Sequence, residues 1–202
     1  MDQYRCPQPP RFLYRVQYPR TQTTRHASGL RARDTTSVFE KHGYDTEFIQ
    51  VVQNQFVWEY KGAGGTPFIS FFSDEEHAIN WACLLWRCRS SGCSLKDEWT
   101  LLTIDTALLG DTHVYKLSTL IEKMGVSIPK KAEDAHKKGA YICLHSIPDC
   151  AIKEERSGPS VRKSRRLKYP IYTPPKPTTF HDDGSDDVKT VLKGLEGLQI
   201  AI

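Results

Sequence analysis

Two short apolar runs constrain this chain most: Phe12-Leu13-Tyr14-Arg15-Val16-Gln17-Tyr18-Pro19, and Pro67-Phe68-Ile69-Ser70-Phe71-Phe72-Ser73 about fifty residues later. Aromatic and β-branched residues fill both, so each reads as a buried strand. Each strand also places a polar group where packing would favour an apolar one, Arg15 in the first and Ser70 in the second. An arginine in such a position calls for an anionic partner, because a bare charge is costly to remove from water. A core carboxylate such as Asp105 would serve.

At 202 residues, with 39% hydrophobic and 26% charged residues, the chain can build one sizeable core and a tail. It contains no run of eighteen apolar residues. The first ten residues, with Asp2, Arg5, Pro7, Pro9 and Pro10, show no signal-peptide pattern. The expectation is an intracellular chain, cytoplasmic or nuclear, with no membrane partner and with reduced thiols among its six cysteines. Cys83, Cys88 and Cys93 are spaced by five, which scatters them around a helix, and no Cys-x-x-Cys or His-Glu-x-x-His occurs, so no metal is expected. Net charge is +4, and five of the basic residues, Arg162, Lys163, Arg165, Arg166 and Lys168, fall within seven positions.

The pattern along the chain predicts a disordered lead-in over 1–11, one domain over 12–157, and a basic, proline-rich linker with a short C-terminal helix over 158–202. Within the domain, Phe12 to Tyr18 is a strand, Arg20 to Asp34 a loop around Ser28-Gly29, and Tyr44 to Tyr60 a helix with Phe48, Ile49, Val52, Phe56 and Tyr60 on one face. Gly62 to Gly65 ends that helix. After the strand Pro67 to Phe72, Ser73 and Glu76 form a capping box for a helix over 74–87, with Ala78, Trp81, Ala82 and Leu85 turned inward. Trp99 to Ile104, His113 to Leu117 and Ala140 to His145 are further strands. Ser118 to Met124 is a short helix stopped by Gly125, Lys130 to Lys138 a connector, and Ile147 to Ile152 a turn into a last strand near Arg156. Past Gly158 come the basic run, four prolines between Tyr169 and Pro177, and then Asp182, Asp183, Asp186 and Asp187. Val188, Val191, Leu192, Leu195 and Leu198 then recur at helical spacing.

This order, Tyr14-Arg15 on a first strand, Phe68-Ile69-Ser70 before a capped helix, and a late strand running to Ile147-Pro148, resembles the Arg-Ser-Glu type of ADP-ribosyltransferase, which includes cholera-like and pierisin-like toxins. With Gly29-Leu30-Arg31-Ala32-Arg33-Asp34, Glu76-His77-Ala78 and Ala140-Tyr141 included, it also resembles an uncharacterised fungal domain family related to those transferases. The resemblance implies an α+β fold: a mixed, mostly antiparallel split sheet with flanking helices, plus an extended C-terminal tail. It further implies NAD as ligand and substrate of a glycosyl-transfer reaction, with Tyr14, Arg15 and Ser70 in its binding site and Arg15 on the phosphates. A guanidinium fork suits phosphate oxygens and keeps its charge when buried.

The chain departs from that pattern at two places. Ser70-Phe71-Phe72 keeps only the first serine of a Ser-Thr-Ser string. The late glutamate, expected seven residues before Ile147, is Ala140, and Lys138 stands two before it. Losing the group that stabilises developing positive charge raises a barrier by a few kcal/mol, or about two to three decades in rate. No catalytic residue is therefore assigned, and the resemblance implies an NAD-binding transferase-like domain, either intact, as an NAD-dependent ADP-ribosyltransferase, or degenerate, as a pseudoenzyme. Glu133 and Asp134, in the connector, and Glu98, at the start of another strand, are the acids that could reach position 140 in the fold. His77 reads as a helix-surface residue, and His145 as either a general base or a satisfied strand histidine. The competing reading is a non-catalytic interaction module, in which Arg162, Lys163, Arg165, Arg166 and Lys168 contact a nuclear, nucleic-acid or protein partner. Ser164, within that run, is open to phosphorylation.

Overall fold

A computed structural model describes residues 2–19, 21–39, 45–56, 65–87, 98–130, 133 and 139–168. Expectations for Gly62 to Gly64, Cys88, Cys93, Asp134, the proline-rich segment and the C-terminal helix lie outside these residues. The described elements are β1 (Phe12–Gln17), β2 (Thr24–His26), β3 (Gly29–Arg31), α1 (Asp45–Phe56), β4 (Phe68–Phe72), α2 (Glu75–Arg87), β5 (Thr100–Asp105), β6 (Val114–Lys116), α3 (Leu117–Met124), β7 (Ala140–Leu144), β8 (Ser146–Pro148), β9 (Ile152–Ser157) and α4 (Gly158–Lys168). The class is α+β, with antiparallel pairing throughout.

Six strands form the main sheet in the order β6-β7-β4-β1-β5-β9, and β2-β3-β8 form a second sheet. Because side chains alternate across a strand, the main sheet feeds two cores. Phe68 and Phe72 of β4, Val16 of β1 and Ile142 of β7 pack with Phe48 and Val52 of α1, Ala78, Trp81 and Ala82 of α2, Leu120 of α3 and Val161 of α4. Ile69, Phe71, Leu13 and Cys143 pack on the other side with Leu30 of β3 and Ile147 of β8. The main sheet therefore lies between a helical layer and a three-stranded cover. Near-continuous apolar strands follow from this double burial, since no face is left for water.

Local chemistry sets the ends of the elements. Asp74 caps α2, its Oδ1 accepting from the His77 backbone N–H at 2.6 Å, with Glu75 and Glu76 in the first turn. The cap is thus Asp74 rather than the expected Ser73, whose own N–H donates to the Gly139 carbonyl at 2.8 Å. Gly125 ends α3 in the left-handed region at φ 65°. The aromatic rings of Phe48, Phe68 and Tyr115 meet at centroid distances of 5.7 and 5.3 Å, fastening α1 to the sheet.

Three stretches differ from the sequence reading. The expected lead-in is tied down: the Cys6 N–H donates to the Val114 carbonyl at 2.7 Å, and Thr106 Oγ1 to the Pro10 carbonyl at 2.8 Å. The expected loop before Asp34 contains the β2-β3 hairpin. Its turn is at Ala27-Ser28, one residue before the expected Ser28-Gly29, with Gly29 already in β3, and Thr24-Arg25-His26 is polar because all three residues are exposed. The basic run is helical: α4 follows β9 directly, Val161 is buried, and the Gly158 N–H donates to the Trp99 carbonyl at 2.7 Å.

The two sheets join at His145, the one described non-glycine residue with positive φ, at 60°. Its N–H donates to the Pro67 carbonyl and its carbonyl accepts from the Ala32 N–H, both at 2.7 Å, while Nε2 donates to the Ser37 carbonyl at 2.8 Å. The histidine is a satisfied structural residue that holds the segment after β3. Asp34 shapes that segment: Oδ1 accepts from the Thr36 N–H at 2.8 Å and the Ser37 N–H at 3.1 Å, and Oδ2 from the Ser37 hydroxyl. Burial alone would raise the Asp34 pKa, but the hydrogen bonds from Ser37 and Thr36 outweigh it and hold the carboxyl at about 2.

A carboxyl below its unfolded value of 3.8 contributes stability that is complete above pH 4 and is lost as pH falls toward 2. Allowing for solvent screening, urea denaturation should show a loss of about 1 kcal/mol over that interval that Asp34→Asn no longer shows. Gly29→Ala tests the sheet junction, since a Cβ there would sit 1.9 Å from the Ile147 carbonyl oxygen at φ 121°. Its unfolding free energy should fall by roughly 3 kcal/mol or more, read from the urea midpoint.

Candidate functional site

Arg15 lies in the middle of β1, opposite Leu102 of β5, and only 1% of it is exposed. Its parity matches Leu13, so the side chain enters the layer between the main sheet and the cover. The guanidinium carbon sits 5.9 Å from the Phe71 ring centroid. Nη1 donates to the Ser70 backbone carbonyl at 2.8 Å, and Nε to Gln17 Oε1 at 3.0 Å. Nη2 is buried with no hydrogen-bond partner.

Among the described residues no carboxylate pairs with this cation. Asp105, the expected partner, binds Arg11 Nη2 at 2.9 Å and caps Ala107 at 3.1 Å instead. The groups that do favour the charge electrostatically are Tyr18 and Cys143. Burial pushes the Cys143 thiol up, so it stays neutral. Desolvation consequently dominates and lowers the Arg15 pKa from 12.5 to about 10. Because the folded value lies below the unfolded one, burying the charge opposes folding at neutral pH by roughly 3 kcal/mol, relieved only as pH rises beyond 10.

Ser70 has the opposite parity. It is 3% exposed and faces the helical layer, where its Oγ accepts from Gln55 Nε2 of α1 at 2.9 Å. Gln55 Oε1 accepts in turn from the Thr66 hydroxyl. Tyr14 also faces that layer, half-buried. Burial first and the Glu75 carboxylate second raise its phenol pKa. The three residues expected to share a site therefore do not converge through their side chains. What links Arg15 to Ser70 is a main-chain oxygen at the seam between β1 and β4, strands that share the single register pair Tyr14↔Phe72.

Ala140, at the expected glutamate position, is 3% exposed, pairs with Phe72 and belongs to the core on the helical side. Glu98 is exposed and Glu133 is half-buried. His77, expected at the helix surface, is half-buried with its ring stacked on Phe72 at 4.6 Å, which explains a pKa lowered by desolvation. Of the basic run, Arg165 is engaged within the fold, reaching Asn80 Oδ1 at 2.9 Å and Glu76 at 3.2 Å on α2. Lys163 is exposed and Arg162 half-buried, and the sequence continues the α4 helix through Arg166 and Lys168. A cavity of about 360 Å³ lies near the N-terminal segment, lined by Arg5, Cys6, Thr106, Thr112 and Val114 among others but by neither Arg15 nor Ser70.

Sequence reasoning missed Gln17. A glutamine two residues after Arg15 lies on the same strand face, and that parity was the available signal. The described residues include no cluster of metal-ligating side chains and no helix long and apolar enough to cross a membrane.

An uncompensated buried cation makes a stability prediction with an unusual sign. Arg15→Met keeps the length and removes the charge, so urea unfolding should find it as stable as the wild type or more stable by about 1–3 kcal/mol. A loss of that size would mean that the arginine has an internal anionic partner.

Residues 8–157 match a family described as "Domain of unknown function (DUF7587)". No curated protein matches the chain at a significant level.

Proposed function

From the premise that the chain belongs to this domain family, whose function is unknown, we propose that it binds the pyrophosphate of an NAD-like dinucleotide at Arg15 and does not turn the ligand over. One observation carries the reading: a wholly buried guanidinium with a free Nη2 and no carboxylate partner among the described residues. Phosphate oxygens would supply the missing acceptor and the missing charge together, which a backbone carbonyl and a neutral amide do not. The resemblance to Arg-Ser-Glu transferases supports the choice of NAD. Ser70 contributes by fixing the cation through its carbonyl, and Tyr14 by bordering the same seam. Since Nη2 lies under the cover, binding requires the cover or the β1–β4 seam to open.

The same resemblance supports binding without turnover. Ala140 occupies a packed core position where a catalytic carboxylate would be needed, and no other acid is tied to that position by the described contacts. The chemistry retained is recognition of an anionic ligand by a preset cation.

Isothermal titration with NAD and with inorganic pyrophosphate tests the proposal. Both should bind the wild type, Arg15→Met should lose at least about tenfold in affinity for each, or 1.4 kcal/mol, and nicotinamide release should stay at background. Equal binding by Arg15→Met, or no binding by the wild type, would sink the assignment. A second reading draws on the exposure of Lys163 on an anchored helix: α4 contacts a nucleic acid. A salt-sensitive gel shift that survives Arg15→Met but disappears with Lys163→Glu would support it.

A further inference from the structure

Gln17 stands where a buried arginine ordinarily meets a carboxylate. Its Oε1 accepts from Arg15 Nε at 3.0 Å, and its Nε2 donates to Thr21 Oγ1 and to the Thr23 carbonyl, both at 2.7 Å. Thr21 Oγ1 donates in turn to the Thr23 carbonyl at 2.8 Å. The direction of every bond in this chain is determined. Arginine can only donate and a backbone carbonyl can only accept, so the residue between them must accept on one side and donate on the other. An amide meets that requirement. An ionised carboxylate at the same place would set an oxygen against the Thr23 carbonyl, on a residue only 3% exposed.

We propose that Gln17 is a positioning residue that fixes the Arg15 guanidinium while leaving its charge uncompensated, and that the Thr23 carbonyl is the feature that keeps a carboxylate out of position 17. The inference deepens the reading of Arg15 as an anion site and rests on it. A glutamate here would neutralise the cation and take up the capacity a phosphate needs. The amide holds Nε, the Ser70 carbonyl holds Nη1, and Nη2 is left for the ligand. Two of the three guanidinium nitrogens are thus engaged by neutral acceptors, an arrangement that orients the group at no cost to its charge.

Two variants separate positioning from simple packing. Gln17→Glu adds a charge and should weaken pyrophosphate binding by at least about tenfold, whereas Gln17→Leu removes the anchor but keeps the bare cation and should weaken it by about threefold. Stability should run the other way, with Gln17→Glu the more stable of the two in urea. A residue that acted only through packing would move affinity and stability together, and that outcome overturns the proposal. A second measurement needs no ligand: Arg15→Met should leave unchanged or raise the stability of the wild type and lower that of Gln17→Glu. The same sign in both backgrounds would overturn the role of Gln17. If instead the wild type binds no pyrophosphate while the sign reverses, the anion-site reading falls and the neutrality imposed by Gln17 stands.

Discussion

The burial of the Arg15 charge, whose Nη1 donates to the Ser70 carbonyl, is the constraint that the surrounding layers have to meet. It lies at the seam of β1 and β4, the two strands at the centre of the main sheet, whose backbones share one register pair. The helical layer behind and the cover in front both take their positions from strands that meet at this seam. A charge at such a place opposes folding, and the apolar burial on both faces has to exceed that opposition. The long aromatic runs of β1 and β4 supply it, with Phe68, Phe71 and Phe72 each about 1% exposed.

Much of this was legible in the sequence. Density of aromatic and β-branched residues marked β1, β4, β5 and β7, because strands buried on both faces need apolar side chains at successive positions. The helical spacing of Phe48, Val52 and Phe56 marked α1, and Gly125 marked the end of α3. What escaped were elements whose stability comes from elsewhere. Strand β2 is polar and exposed, and is recruited by pairing with Gly29, Leu30 and Arg31. Helix α4 has five basic residues and reads as a solvated run, yet Val161 and the Trp99–Gly158 contact dock it; a Cβ at position 158 would lie 2.6 Å from the indole.

The site was legible only in part, for a reason of parity. Arg15 and Ser70 were correctly marked as polar groups in a core, since both are buried. Their relation was not, because alternate residues of neighbouring strands face opposite layers, and one-residue differences in register decide which. Sequence gives residue types and spacing within a strand, but not the offset between strands so distant along the chain. Gln17 shows the converse case. Its spacing from Arg15 was visible, yet its importance depends on the Thr21–Thr23 segment folding back to meet it.

The junction at His145 has a mechanical consequence. One residue separates β7 of the main sheet from β8 of the cover, and that residue is pinned on both sides of its backbone. The cover order runs β8-β3-β2, so β2 is its far edge, where Arg25 reaches Asp149 at 2.7 Å and Glu155 at 2.9 Å. Partly exposed ion pairs of this kind contribute little, about 0–1 kcal/mol each, and weaken with salt. The cover is therefore fastened by the chain itself at both ends of β8, through His145 to β7 and through Asp149 to Ala151 to β9, while its far strand is held to the main sheet by charge, through Arg25 and Glu155 of β9.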